Sequence, residues 1–267
     1  MLATQGWLSI GSGAIVGLSL GLLGGGGSIL AVPLLLYLVG LSNAHVVIGT
    51  SALAVAVNAY FNLLPHWRDG HVRWRQAIAF ALPGVIGAAF GSIMGRRLHG
   101  SALLFLFALL MIVIALLMVR RGNGAPAKRS WRSPRQGGET EGLLPAGTAG
   151  LLAGGLSGFF GIGGGFLIVP ALVISTQMSF INAIGSSLFA VGTFGLTTAV
   201  SYAAAGLINW PVFVEFILGG ALGGVLGARS ATFLSGRRAT LNYLFAAVVM
   251  VVAFYMLYRN ALALHYL

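Results

Sequence analysis

The sequence predicts an all-α polytopic membrane protein made of two inverted repeats, each with a glycine-broken helix pair or re-entrant hairpin plus three spanning helices. Three observations support this class. The 267 residues are 58% hydrophobic, with a mean hydropathy of +0.95 and only 7% charged residues. Long apolar runs alternate with short basic gaps, and the two halves of the chain carry matching glycine-rich motifs.

The composition argues against several functional classes. Soluble domains contain about 25% charged residues, and 7% is too few to cover a soluble fold. The net charge of +11 could suggest nucleic acid, but the basic residues lie between apolar runs, as in membrane proteins. With no cysteine, no metal-ligand spacing among the five histidines and no nucleotide-binding or hydrolase motif, we expect no enzyme activity, cofactor, metal site or nucleic-acid partner.

Ten apolar segments are expected to be helices, because only helices satisfy their own backbone groups in hydrocarbon without a closed barrel. A span needs about 20 residues, so the second and seventh segments are too short to cross alone. The first segment lacks the basic start of a secretory signal and is expected to remain in the membrane. The segments cover 7–23, 29–39, 46–64, 78–94, 102–119, 143–160, 166–174, 183–205, 212–226 and 241–258.

Residues 120–142 interrupt the apolar pattern. They hold six basic residues together with prolines and several glycines, a composition typical of a flexible, solvated linker. We therefore predict a first transmembrane repeat over 1–119, a basic cytoplasmic linker over 120–142 and a second transmembrane repeat over 143–267.

An internal duplication relates the two halves. GGGGSILAVP at 24–33 matches GIGGGFLIVP at 161–170 with a shift of 137, and GTSALAV at 49–55 matches GSSLFAV at 185–191 with a shift of 136. Glycines and tryptophans downstream keep that register as far as the pair Gly100 and Gly236. Duplicated halves are typical of secondary transporters.

The basic residues favour opposite orientations for the two repeats. An odd number of crossings per half inverts the second repeat, and cytoplasmic loops are rich in lysine and arginine. With the linker inside, 12 basic residues lie inside in the inverted arrangement, whereas a parallel arrangement leaves 10 inside. Only three lie outside when the repeats are inverted, and both termini are then outside the cytoplasm: these are Arg96, Arg97 and Arg259.

A glycine-rich break precedes a short helix in each half. Free backbone N–H groups and the positive dipole end of such a helix attract anions. Two breaks facing each other near the bilayer midplane would form an anion site without charged side chains. The alternative is that the glycines only permit tight helix packing. The predicted substrate-binding residues of the breaks are Gly24, Gly25, Gly26, Gly27, Ser28, Gly161, Gly163, Gly164 and Gly165.

Polar residues inside the predicted spans are the next candidates. Polar groups at membrane depth often line a pathway, although they also form interhelical hydrogen bonds worth roughly 0.6 kcal/mol. Glu215, the one carboxylate within a predicted span, is either a proton carrier or an interface residue that reaches water. The residues assigned to substrate binding are Thr50, Ser51, Asn58, Ser186, Ser187 and Thr197.

The repeated GGGGS-x-L-x-VP and GIGGGF-x-x-VP segments, each followed by GTSA or GSSL, resemble the TauE/SafE sulfite exporter family. The resemblance extends from about Gly13 to Arg259 and includes the later glycine-rich helices. It implies a bacterial inner-membrane permease with a duplicated domain that exports a small anion, sulfite or an organosulfonate such as sulfoacetate.

The sequence therefore predicts a secondary transporter of a small anion working by alternating access, with the lipid bilayer and the anion as its partners. Small-residue helix faces allow a homodimer. Three alternatives remain open: an anion channel with the same site, a cation- or proton-coupled metabolite carrier using unwound backbone carbonyls, and a membrane assembly factor that transports nothing.

Overall fold

The chain folds as a bundle of helices. The structure, a computed structural model, describes residues 2–122, 143–161, 163, 165–233 and 238–265. The α-helices are α1 Leu2–Leu23, α2 Ala31–Pro33, α3 Ala44–Arg68, α4 Trp74–Arg97, α5 Gly100–Gly122, α6 Leu143–Phe160, α7 Gly165–Thr176, α8 Phe180–Ala203, α9 Trp210–Phe233 and α10 Arg238–His265. A 3-10 helix, Gly24–Leu30, precedes α2 and a π-helix, Leu34–Leu38, follows it.

The predicted all-α polytopic class is confirmed. Within the described residues, five helices are long and apolar enough to cross a membrane: Ala44–Arg68, Trp74–Arg97, Leu143–Phe160, Ile181–Ala203 and Trp210–Gly227. Helix α5 continues to Gly122, three residues beyond the boundary predicted at 119. The predicted linker lies outside the described residues from 123 to 142.

Helix α1 and the segment that follows it form a hairpin. Gly27 packs against the backbone of Ser19 and Leu20, so the chain reverses at the glycine-rich break. At the other end, the Gln5 side-chain amide donates to the Val39 carbonyl oxygen over 3.3 Å. The 3-10, α2 and π segments therefore return alongside α1 to the level where α1 began. We call residues 24–38 the first short helix and α7 the second.

Matching caps start the two central helices. The Asn43 side chain accepts from the backbone N–H groups of His45 and Val46 at the start of α3. At the equivalent position, the Ser179 hydroxyl oxygen accepts from the Asn182 N–H at the start of α8. Side-chain oxygens at this position satisfy amides that lack helical partners, so the duplicated sequence begins both helices in the same way.

Glycine faces hold the two closest helix pairs together, α4 with α6 and α1 with α9. Residue numbers increase in the same direction along both helices of a pair: Gly84 meets Gly150, and the later Gly95 meets the later Phe159. Likewise Gly17 of α1 meets Gly220 of α9. The helices of both pairs thus run in the same direction, and each pair joins one half of the chain to the other. Small residues allow such close backbone approach in lipid.

Helices α3 and α8 cross at the centre and run in opposite directions. Gly49 at the start of α3 packs on Tyr202 at the end of α8, whereas Tyr60 packs on Gly192. The remaining pair, α5 and α10, packs together. Many large apolar side chains point outward, including Leu82, Ile86 and Phe90 of α4, each at least 65% exposed. This arrangement leaves α3, α8 and the two short helices as the inner layer.

Candidate functional site

The second glycine break lies at the central crossing of α3 and α8, and the short helix that contains the first break packs against neighbouring helices. The first short helix, through its 3-10 segment, contacts both α7 and α8. Gly163 lies between α3 and α8, where a methyl group would stand 3.1 Å from both Val55 and Val191. These two valines are themselves equivalent under the 136-residue shift. The second break therefore lies between equivalent positions of the two halves of the chain.

The second break adopts a backbone that favours glycine. Gly161 and Gly163 have φ values of +65° and +66°, a region that side-chain-bearing residues enter at a cost of about 1–2 kcal/mol. A side chain at Gly161 would also collide with Ile48. Both features tie the glycine at 161 to a tight conformation against α3. Gly165 begins α7 and is buried, whereas Gly164 lies outside the described residues.

The GTSA and GSSL motifs attach each half to a loop of the other half. The Thr50 hydroxyl oxygen accepts from the Asn209 backbone N–H over 2.9 Å, and the Ser186 hydroxyl oxygen accepts from the Arg73 N–H over 2.9 Å. The preceding glycines, Gly49 and Gly185, lie against the carbonyl oxygens of those same two loops. Thr50 and Ser186, which the sequence suggested as anion donors, thus act as acceptors for loop amides.

Removal of these hydroxyls is expected to destabilise the fold. Thr50→Val and Ser186→Ala each leave a partly buried amide without its partner, which costs about 1–3 kcal/mol. The thermal unfolding midpoint in detergent should fall for both. The exchanges Thr50→Ser and Ser186→Thr keep the hydroxyl and should leave the midpoint close to wild type. Equal midpoints for all four variants would contradict the assignment.

The next serine of each motif, Ser51 or Ser187, donates a hydrogen bond within its own helix. Ser51 donates to the Ile48 carbonyl oxygen over 3.0 Å and lies 3.4 Å from the Gly161 carbonyl oxygen, so it touches the second break directly. Ser187 donates to Ile184 over 2.7 Å. Ser28 of the first short helix is fully buried like both of them. Gly27 is also buried, while Gly24, Gly25 and Gly26 form the start of the 3-10 helix.

Asn58 lies apart from the glycine breaks, on the side of α3 that faces α9. It is fully buried, and neither its amide nitrogen nor its amide oxygen has a hydrogen-bond partner. Gly220 provides the space for this side chain, since a methyl group there would collide with it. Asn62, one turn later, donates its amide to the Asn58 backbone carbonyl over 2.8 Å. A buried amide without partners is costly.

A cavity of about 580 Å³, open at the surface and with a mainly apolar lining, lies between α3, α4 and α8. Thr197 is the one predicted site residue among its lining residues. The polar side chains around it are Tyr60, Ser92, Arg96, Thr193, Thr197 and Ser201. A second, smaller groove of about 260 Å³, also mainly apolar, runs between α1 and α9. Neither space is lined by the predicted glycines or by Thr50, Ser51, Ser186 or Ser187.

Sequence reasoning missed Arg96, Ser92 and Tyr60 as candidates. A signal was present for α4, since Val85, Ala89, Ser92 and Arg96 follow helical spacing and share one face. That spacing does not show which other helix the face meets, and from the sequence Arg96 is only a charge at a membrane boundary.

Glu215 packs between α9 and the start of α1. Its carboxylate faces Gly6, where a methyl group would lie 2.9 Å from Oε1. It is partly exposed and lines neither cavity. This position fits the interface interpretation of Glu215 better than a role as proton carrier.

Comparisons with known proteins agree with this architecture. The chain matches the family described as sulfite exporter TauE/SafE over residues 9–256. A probable membrane transporter protein of Xylella fastidiosa is 52% identical over 95% of each chain. Others occur in Bacillus subtilis, where YunE is 26% identical over 81% of this chain and 85% of its own, and in Haemophilus influenzae, at 29% identity over 84% of each chain. No solved structure matches significantly. This chain is therefore a multi-pass membrane transporter that belongs to the sulfite exporter TauE/SafE family.

Proposed function

We propose that this transporter is a secondary carrier that exports a small anion, most simply sulfite or an organosulfonate such as sulfoacetate, by alternating access. It acts as a carrier and not as an enzyme. The family description supports the substrate class. The observation that carries the proposal is the position of Gly163 between Val55 and Val191 at the α3–α8 crossing, together with the contacts of the 3-10 segment Gly24–Leu30 with α7 and α8.

The anion is held by backbone amides at the two breaks. Gly24, Gly25, Gly26, Gly27 and Ser28 contribute from the first half. Gly161, Gly163, Gly164 and Gly165 contribute from the second, where the N-terminus of the 12-residue α7 adds a positive dipole end. A site of this kind needs no buried charge, which suits a chain with 7% charged residues.

Hydroxyl groups complete the proposed site. Ser51 touches the second break, and Ser187 occupies the equivalent place on α8. Thr50 and Ser186 accept loop amides and keep their own protons for the anion. Thr197 lines the cavity between α3, α4 and α8, whereas Asn58, buried against Gly220, does not contribute to the site in this conformation. Because Ser28, Ser51 and Ser187 are fully buried here, anion entry requires the central helices to move apart.

The two repeats have inverted topology in this proposal. Support comes from the helix directions, since α6 runs parallel to α4, and α4 returns along the bundle after α3. Together with the basic-residue distribution, this favours a bacterial inner membrane location with the linker in the cytoplasm and both termini outside. The glycine faces are already used within one chain, so a homodimer would form through other surfaces.

A thermal-shift panel on purified protein tests the proposed substrate class. Sulfite, sulfate, thiosulfate, sulfoacetate and taurine are compared at fixed pH and ionic strength. An anion that binds the folded state raises the midpoint according to its occupancy, about 2.7 kcal/mol of stabilisation at a hundred times the Kd. Specific stabilisation by sulfite or sulfoacetate is expected. Equal midpoints throughout would contradict the proposed class and favour the assembly-factor alternative.

A further inference from the structure

We propose that the cavity between α3, α4 and α8 is a second oxyanion-binding site, a vestibule in which Arg96 captures the anion before or after it occupies the central site. The proposal deepens the proposed function and rests on it for the identity of the transported anion. What it adds is the place where the anion is captured and the residue, Arg96, that captures it by charge.

The charge of Arg96 has no acidic partner. Asp69 precedes the opposite end of α4, and Glu215 packs against Gly6 of α1, so neither described acidic residue pairs with Arg96. Arg96 is half-buried, and its Nε is buried without a hydrogen-bond acceptor. An arginine in an apolar wall is costly unless it is paired or functional. An anion in the cavity would supply the missing partner.

Aromatic contacts hold Arg96 at the cavity. Its guanidinium carbon lies 5.9 Å from the ring centre of Tyr202, within the range of a cation–π contact. The Tyr202 ring is fully buried and lies 6.3 Å from the His45 ring. The guanidinium therefore rests on a fixed platform, which lowers the entropy lost when it binds a ligand.

The cavity leads from the end of α4 towards its middle. Val85 and Arg96 both line it and are 11 residues apart, which is about 16 Å along a helix. That distance is about half of the roughly 30 Å hydrocarbon thickness. Because the linker follows α5, the Arg96 end of α4 is the end away from the linker. With about 580 Å³, the cavity accommodates a small oxyanion together with water.

Hydroxyl groups follow Arg96 into the cavity. Ser92 donates to Ala89, and Thr197 donates to the Thr193 carbonyl, each over 2.8 Å. These carbonyls belong to helices and already accept backbone amides, so a hydroxyl can turn to an anion at the cost of about one hydrogen bond. A lipid headgroup would remain near the surface, so hydroxyls at this depth favour a free anion.

The equivalent helix crossing in the duplicated fold lacks the polar side chains of this cavity, so helix packing alone does not require them. Under the 136-residue shift, Arg96 corresponds to Thr232, Ser92 to Ala228 and Thr197 to Phe61. The equivalent crossing of α9 with α3 therefore forms without these groups. The polar set is specific to one side of the molecule, as expected for a binding vestibule.

The test compares Arg96→Gln with Arg97→Gln in the full-length protein. Arg97 is the adjacent residue, is exposed and does not line the cavity, so both variants lose the same charge. We measure the half-saturating sulfite concentration for thermal stabilisation and for counterflow in vesicles of phosphatidylcholine with or without phosphatidylglycerol. Arg96→Gln should raise it about tenfold, corresponding to about 1.4 kcal/mol, in both lipids. Arg97→Gln should change it less than about twofold.

Two further variants test whether Arg96→Gln acts only by disturbing the fold, and the two lipid compositions test whether a lipid phosphate occupies the cavity. Arg96→Lys should recover most of the affinity, and Thr197→Val should weaken it without changing the charge. Equal half-saturation for Arg96→Gln, Arg97→Gln and wild type, with wild-type transport intact, would overturn the vestibule but not the proposed function. An effect of Arg96→Gln on phosphatidylglycerol dependence alone would assign the site to a lipid phosphate. Absence of any wild-type response to sulfite would refute both proposals.

Discussion

Gly154→Ala is expected to prevent the stable association of α6 with α4. A methyl group at Gly154 would collide with the carbonyl oxygen and Cα of Gly84, which are backbone atoms in a close helix crossing. The helices must separate, and overpacking of this kind typically costs about 1–3 kcal/mol and occasionally more. We expect a large loss of monodisperse protein after detergent extraction and a strongly lowered thermal unfolding midpoint.

The adjacent glycine gives a matched control. A methyl group at Gly155 lies 3.8 Å from the Gly87 carbonyl oxygen, which is ordinary contact distance. Gly155→Ala should therefore remain within about 0.5 kcal/mol of wild type or gain slightly from the higher helix propensity of alanine. Similar behaviour of the two variants would show that the α4–α6 pairing differs from the one described here.

Gly163→Ala is expected to abolish the stabilisation of the protein by sulfite and its transport. The new methyl group would stand 3.1 Å from Val55 and from Val191, tighter than normal contact, and would push α3 and α8 away from the second break. The φ of +66° adds the strain of a left-handed residue, about 1–2 kcal/mol. The measurements are the sulfite-dependent midpoint shift and the initial counterflow rate.

Gly206→Ala is the control that separates the effect of backbone strain from the effect of displacing α3 and α8. Gly206 has a φ of +70°, and a methyl group there meets nothing within 4 Å. It should show the same backbone cost as Gly163→Ala yet keep the sulfite response. If Gly163→Ala also keeps its response, the anion is held elsewhere in the protein.

Several features of the fold could be predicted from sequence because they depend on local or repeated chemistry. Apolar length and lack of charge predicted the helices. The 136-residue register predicted that Gly49 and Gly185 occupy equivalent places, as both do against a loop carbonyl. The glycine-rich runs of α4 and α9 predicted close helix crossing, which α6 and α1 provide.

The roles of polar residues could not be predicted in the same way, because they depend on which helices meet. Thr50 and Ser186 looked like ligand groups, but each accepts a backbone amide from a loop more than 100 residues away in sequence. Asn58 is buried against Gly220 rather than near the glycine breaks. Arg96 lines a cavity only because α8 packs across its face of α4.

Counterflow of labelled sulfite in proteoliposomes tests the central proposal, that this protein is a small-anion carrier, most directly. Vesicles loaded with unlabelled sulfite are diluted into a trace of labelled sulfite, with labelled sulfoacetate measured in parallel. A carrier with one alternating site is expected to accumulate the label transiently above its equilibrium level. Label that only equilibrates, without accumulation, would indicate a channel, and no uptake beyond protein-free vesicles for either anion would contradict anion transport altogether.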